Sequence, residues 1–496
     1  MKKITFCFCV LVFFSFSWVA NSAERYKADE KTVTLDEVLE MANGSLSAQI
    51  ARRTLLAKYW EYETVRKEVL PTLSFSGTLP QINRAFTKAT LPDGRETFVS
   101  QFYGDYTGSL QLLQTIPQTN TQISLSSGLE RLDLYGKDRT KSYLSTPIRI
   151  GITQSLFTYN SGKWEYKINP IRYNVAKQRY LQEREEVYVK AVELYFDLLL
   201  AQERYQNARR NRTYVDTLHG MMQMRYQQQA VSESEYLQLQ LNVLQAKYEE
   251  ENSRRIWLEA LAVLKEFLLV EDNDAWILSI PAINHMPKLS IEKALSEAME
   301  NNAICYEFQQ REIESQSNLV RAKSENRFSL DIYASFSLNQ SAGLLAKSYM
   351  NLLDQEMLSV GLRIPILDWG KAKGKIQVAK AQKDVVLLQI EQERRTFARE
   401  LGKLVLTLGT QAKKILLSER AMEVAFRRLE AEKLRYDLLK TDFSGLYDAI
   451  NDKGACLDIY LEDMKDYWIL YYSIRKTTLY DFEQDHKIEV SLKELL

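Results

Sequence analysis

The sequence predicts a mainly α-helical chain carrying a few membrane-crossing β-strands, laid out as an internal duplication. Three observations lead there: two long proline-free stretches with coiled-coil seams, a constant offset of 210 positions between those seams (397 against 187), and short two-faced segments set between helices.

The helices come first. Prolines stand at 71, 80, 92, 117, 147, 170, 281, 287 and 365, which leaves none between Pro170 and Pro281 and none after Pro365. Proline removes a backbone donor and clashes with the preceding turn, so those two regions are free to run as helices. In the first, Val187, Ala191, Leu194, Leu198, Ala201, Tyr205 and Ala208 follow the 4-3-4-3 spacing of a coiled-coil seam. In the second, Phe397, Leu401, Leu404, Leu408 and Ile415 repeat it, with Gln411 as the one interruption. Lys371 to Leu439 is about 69 residues, on the order of 100 Å of continuous helix. Interleaved acids and bases leave that helix only a narrow apolar stripe, which needs lateral partners to cover it.

The duplication reaches beyond the seams. Gly151-Ile152 matches Gly361-Leu362, Arg225-Tyr226 matches Arg435-Tyr436, and Ser234 matches Ser444. The opening helices also repeat, "TLDEVLEMA" from Thr34 against "SIEKALSEA" from Ser290, but at an offset of 256, so the first half holds about 46 extra residues before Gly151. The expected organisation is a leader at 1–23, a first repeat at 24–280 with an insertion at 77–147, and a second repeat at 281–496.

The leader is read from Lys2 and Lys3, the apolar run Ile4 to Val19, and the small-residue site Ala20-Asn21-Ser22-Ala23, which together form an export signal with the mature chain starting at Ala23 or Glu24. Cys7 and Cys9 fall in that run and no cysteine follows closely, which argues against a lipoprotein. Cys305 and Cys456 could form one bridge or none. No later stretch of 18 or more apolar residues appears, so residence in a membrane requires a β-barrel.

The strands alternate with period 2. "SLDIYASFSL" sets Leu330, Ile332, Ala334, Phe336 and Leu338 opposite Ser329, Asp331, Ser335 and Ser337, and "LSVGLRIPI" sets Leu358, Val360, Leu362, Ile364 and Ile366 opposite Ser359, Gly361 and Arg363. "TLSFSGTL" from Thr72 and the trio Ile148, Ile150 and Ile152 do the same in the first half. A water-soluble sheet under a helix would also fit. The export signal, the length of about ten residues, the polar Ser, Gly and Arg face, and flanking aromatics (Phe98, Phe102, Tyr103, Tyr106, Tyr333, Phe336 and Tyr349) favour a membrane barrel. Four clear strands cannot close one, because the smallest membrane barrels need about eight. Strands from several copies must therefore pair, and three copies give twelve. "GSLQLLQTIP" from Gly108 and "TQISLSSGLERL" from Thr121 form one extra hairpin, a collar, a plug or added wall, so six strands per copy is the alternative.

Enzyme chemistry finds no foothold. Lys+Arg and Asp+Glu balance at 65 each, without the basic excess of a nucleic-acid binder. His219, His285 and His486 are not paired with ligands at metal spacing, and "GKAKGK" near Gly370 lacks the order of a phosphate loop. No catalytic, cofactor or metal site is nominated.

With these residues in view, the chain resembles the TolC family of outer-membrane efflux proteins over essentially its whole mature length. "VGLRIPILDWGKAKGKIQVAKAQ" from Val360 is similar to the family's second-repeat strand and helix-opening turn, and "IGITQSLFTYNSGKWEY" from Ile150 is its partner. Leu70-Pro71 after the first helix, and Arg-Tyr before each helix-hairpin turn, add to it. The resemblance implies a TolC-like fold: a twelve-stranded β-barrel shared by a homotrimer, four strands per protomer, over a long antiparallel coiled-coil tunnel. It implies an exit duct in the outer-membrane lipid, with its helical part in the periplasm. The duct's partners are a periplasmic adaptor protein and an inner-membrane RND or ABC pump. Export by type I protein secretion shares this architecture, and a pore-free periplasmic scaffold is the reading from another class.

The resemblance also places the turns at 227–234 and 437–444 at the periplasmic entrance, where family members carry an acidic pair. Asp448 occupies one of those positions, Gly445 stands at the other, and Asp442 lies one turn earlier. Tyr226, Tyr436, Arg225 and Arg435 are the candidate partners that hold the gate closed. Gln229 and Leu439 stand where the family's tip often has glycine, which puts the turn geometry in doubt.

Overall fold

A computed structural model of the chain describes residues 30–90, 94–135, 139–272, 274–281, 289–437 and 443–490. The expected leader with its cleavage site, and His285, lie outside them. Two compact units are present: Met1–Gln49 with Val187–Met286 and Thr410–Tyr471, and Ile50–Glu186 with Pro287–Gly409 and Tyr472–Leu496. Each draws on both halves of the chain.

Element order follows the duplicated plan. The first half runs β1 (Glu30–Val33), α1 (Leu35–Ala42), α2 (Leu46–Lys67), β2 (Thr72–Thr90), β3 (Glu96–Ile116), β4 (Thr121–Leu134), β5 (Thr140–Leu156), α3 (Ser161–Gln227) and α4 (Glu233–Leu268). After β6 (Ala275–Leu278) the second runs α5 (Ile291–Asn301), α6 (Ala303–Glu325), β7 (Ser329–Ala342), β8 (Leu353–Arg363), α7 (Lys371–Asp437) and α8 (Phe443–Thr478), then β9 (Tyr480–Asp481) and β10 (His486–Lys487). Both α3 and α7 have 67 residues, both α4 and α8 have 36, and each start is displaced by the same 210 positions, 371 from 161 and 443 from 233. α3 begins ahead of the proline-free stretch and takes Pro170 into its tenth position.

Most of the seam expected on α3 is buried: Val187, Ala191, Leu194, Leu198 and Ala201. Between Ala191 and Gln202 the helix is covered on nearly every side, with Val192, Tyr195, Phe196 and Leu199 also buried. The cover includes the parallel pair β1–β6, which sequence periodicity did not reveal. Gln202 clips it in place, its Nε2 donating to Leu278 O at 3.1 Å and its Oε1 accepting from Leu278 N at 2.8 Å. On α7, Leu401, Leu408 and Ile415 are buried. The interrupting Gln411 is buried too, and Nε2 donates to Asp463 O and Oδ1 at 3.0 and 2.9 Å, so its desolvation is compensated.

In the second unit, β2-β3-β4-β5-β7-β8 form one six-stranded sheet, antiparallel throughout. Among the described residues the sheet thus has six strands per copy, the alternative, and the four strands read first are corrected. Two of the strands read first also run longer than expected. Pro80 and Pro147 sit at the register irregularities Thr78/Gln81 and Ser145/Ile148, where a missing backbone donor is tolerated, so β2 and β5 continue past residues that suggested strand ends. The segments at Gly108 and Thr121 pair with each other and with β2 and β5 as integral strands.

Cys305 and Cys456 are free thiols.

Candidate functional site

Two sets of residues carry functional chemistry, and they are described separately. The first is the sheet. One row of paired residues runs Leu73, Leu112, Leu125, Ile150, Phe336 and ends at Glu356 on β8, and others bring Ile123, Ile152, Ala334, Leu358 and Ile332, Val360 to the same face, with Asp354 opposite Leu338. The neighbouring row runs Thr72, Leu113, Ser124, Gly151, Ser335, Met357, followed by Thr153, Tyr333, Ser359 on that opposite face. One face is therefore mainly aliphatic and aromatic, with Glu356 and Asp354 at the start of β8 as its charged exceptions, and the other is dominated by Ser, Thr and Gly. The apolar face lies bare: Leu73 is 63%, Phe75 74%, Ile152 43% and Leu358 73% exposed.

The size of that bare band fits a bilayer. Leu330 to Leu338 covers eight residue steps, ~27 Å along the strand at ~3.3 Å per residue and about 20 Å along the normal at a tilt near 40°, close to the ~25 Å apolar band of outer-membrane barrels. Beyond Leu129 on this face, Arg131 stacks over Tyr106 at 5.1 Å and Tyr143 at 5.9 Å, and it forms an ion pair with Asp133 at 2.6 Å. Such a charged and aromatic border suits the headgroup level. Of the expected aromatics, Phe98, Phe102 and Tyr106 share the apolar face by register, Phe336 lies inside the band, and Tyr103 and Tyr333 point to the polar side. Tyr349 sits in the short 3-10 turn between β7 and β8.

After β8, Ile366 is 93%, Leu367 69% and Trp369 90% exposed. The helix-opening turn that follows has a clear physical basis. The Asp368 carboxylate accepts from the backbone N–H of Gly370 and Ala372 at 3.0 and 2.8 Å, bonds that cap α7 and hold this carboxyl below its usual range. Gly370 takes φ 84°, the left-handed region where glycine is at ease.

The second set lies in the helical unit, at the turn between α3 and α4. Ser232 caps α4 in a capping box with Glu235, whose carboxylate accepts from the Ser232 N–H at 3.0 Å and hydroxyl at 2.9 Å and is thereby held low. Gln229 occupies the left-handed region at φ 53°, so the turn keeps a glycine-like geometry without glycine. Val215 and Leu218 of α3 pack on Leu239, Val243 and Ala246 of α4. Leu429 of α7 packs with Leu446, Ala449 and Ile450 of α8, and Tyr214 touches both clusters.

The expected gate residues are only partly brought together. Tyr226 stacks on Tyr236 at 4.7 Å and 4°, and His219 lies against the same ring at 5.7 Å, a ladder that sequence reading missed because Tyr236 belongs to the returning helix. Arg225 is exposed, as is Asp448, which lies away from the buried Leu446 and Ala449. Arg435 is engaged by Glu432 at 2.8 Å. Asp442 and the Tyr436 side chain lie outside the described residues.

Among the described residues, no helix is long and apolar enough to cross a membrane. Residues 114–268, from the end of β3 to the last residue of α4, match the family described as "Outer membrane efflux protein". That stretch is similar to the outer membrane efflux protein family. No curated protein matches it by sequence. Solved structures similar to this chain include the CmeC outer membrane channel of Campylobacter jejuni, with a TM-score of 0.65 at 14% identity over 93% of this chain and 89% of that one. The open state of the MtrE outer membrane channel of Neisseria gonorrhoeae gives 0.61 at 13% identity over 90% and 88%. The outer membrane protein VceC of Vibrio cholerae gives 0.61 at 10% identity over 90% and 95%. At these identities the likeness is one of fold: the chain has a TolC-like fold.

Proposed function

We propose that three copies of this chain form the outer-membrane exit duct of a tripartite efflux system, a passive channel for small molecules. Its cargo arrives from the periplasm or from an inner-membrane pump, through an adaptor docked on the helical hairpins. One observation carries the reading: a six-stranded sheet whose aliphatic face is bare over the depth of a bilayer while its other face is short and polar. In water that face would be a severe aggregation hazard, whereas in lipid it is the solvated side. The polar face then lines water. Transport energy comes from the partners, which agrees with the role of this family as channels of tripartite pumps.

The halves 24–280 and 281–496 are read as duplicated units, supported by the equal lengths and constant offset of their helix pairs. Asp448 is the proposed gate carboxylate. With Arg435 engaged by Glu432, Arg225 is the exposed basic partner left to it among the four candidates.

The test is to fractionate cells for a heat-modifiable oligomer in the outer membrane and to measure single-channel currents of the purified protein in a planar bilayer. Discrete conductance supports the duct. A stable monomer in the soluble periplasmic fraction, silent in bilayers, refutes it.

A further inference from the structure

We propose that the three copies close one continuous wall of eighteen strands, with β8 of each copy hydrogen-bonded to β2 of the next in the register that sets Thr72 beside Arg363. This rests on the channel reading and adds to it the strand number, the register and the width of the exit.

The two edges are built to meet. β2 and β8 are the outer strands of the sheet, and all eleven residues of β8 are exposed. An unpaired edge is not tolerated in hydrocarbon, so each must find another strand. Six strands that alternate in direction leave β2 and β8 running oppositely, and a neighbouring copy therefore presents β2 antiparallel to β8. A second copy of this chain is the occupant that satisfies both edges at once.

Tilt fixes the register. The row through Thr72, the first residue of β2, crosses Leu113, Ser124, Gly151 and Ser335 and ends at Met357, six positions before Arg363 closes β8. Across six strands of ~4.8 Å, a tilt of 35–45° displaces a row by about 20–29 Å, or roughly six to nine residues, of which the even shifts of about six and eight keep each face on its own side. By symmetry the neighbour's Thr72 stands at the height of this one, so it meets residue 363 or 365; a shift of opposite sense runs off the far end of β8. Residue 365 is Pro365, which has no N–H to give, and position 363 remains.

Side-chain parity agrees. In this register Thr72 and Ser74 face Arg363 and Gly361 on the polar side, while Leu73 and Phe75 face Leu362 and Val360 on the apolar side. Over these pairs the belt continues across the junction without a slip, and on β8 it ends beyond Leu358 at Glu356 and Asp354. An eighteen-stranded wall at ~35° measures about 34 Å between backbones, against about 22 Å for twelve strands. Ser74, Ser124, Ser335 and Ser359 narrow it little. The exit does not sieve its cargo, and selection falls to the helical mouth.

The experiment pairs Ser74→Cys with Gly361→Cys in a chain carrying Cys305→Ser and Cys456→Ser. A Cβ at Gly361 meets nothing closer than Asp331 O at 3.7 Å, so the substitution fits. Oxidation in intact outer membranes is expected to give disulfide-linked dimers and trimers, and Ser74→Cys with Met357→Cys at least tenfold less. Images of the purified assembly are expected to show eighteen strands. A second variant deletes 96–134, leaving β2 and β5 oppositely directed and able to pair, and its ring is expected to narrow to twelve strands. A conducting trimer with twelve strands, or a deletion that leaves the ring diameter unchanged, overturns the proposal while the duct stands. Absence of any trimer or conductance overturns both.

Discussion

Replacing Ile152 with lysine tests which side of the sheet meets lipid. Ile152 pairs with Ile123 and Ala334, lies midway between the levels of Leu330 and Leu338, and is 43% exposed on the apolar face. A lysine at the mid-depth of a barrel's lipid face costs ~2–4 kcal/mol, so three copies add up to roughly 6–12 kcal/mol, comparable with typical folding stabilities of ~5–15 kcal/mol. The matched control is Ser335→Lys. Ser335 pairs with Gly151 and Met357 at nearly the same height but on the polar face, where the ammonium stays in water and the cost is within ~0.5 kcal/mol. The assay is the amount of heat-modifiable oligomer recovered from the outer membrane. Ile152→Lys is expected to abolish it and Ser335→Lys to leave it near wild type. If both variants assemble equally, or if the sensitivity is reversed, the assignment of faces is wrong.

Three further outcomes are expected. Gln229→Gly relieves a left-handed backbone at φ 53° and should raise stability by about 0.5–1 kcal/mol, read as a higher Tm; an unchanged or lower Tm refutes strain at that turn. Asp448→Asn should raise single-channel conductance or weaken block by divalent cations, and unchanged currents remove it from the gate. Burial pushes the Glu185 carboxyl above its ordinary value despite Arg475 at 2.8 Å and nearby Arg184. A raised folded pKa means that the native state holds this proton more tightly. Its stabilisation is fully present below the unfolded carboxylate pKa and is lost as pH rises through the folded one. Glu185→Gln should therefore flatten that part of the pH–stability curve, and an unaltered slope assigns it elsewhere.

Much of the candidate site is legible in the sequence. The alternation of Leu330, Ile332, Ala334 and Phe336 with Asp331, Ser335 and Ser337 marks two faces because side chains in a strand point to opposite sides. The proposed gate was less legible. Arg435 finds Glu432 on its own helix, a spacing readable in sequence, whereas Tyr226 finds Tyr236 only because α4 folds back along α3.

The sequence alone determined the extent of α7 to within two residues, the 210-position duplication and the two-faced character of the strands, since each depends on a periodicity a few residues long. Tertiary structure decided the number of strands, the parallel pairing of β1 with β6 and the side-chain partners at the helical turn. Those depend on which distant backbone groups hydrogen-bond to one another. At Pro80 and Pro147 a bulge lets a strand pass through a residue that local rules read as its end.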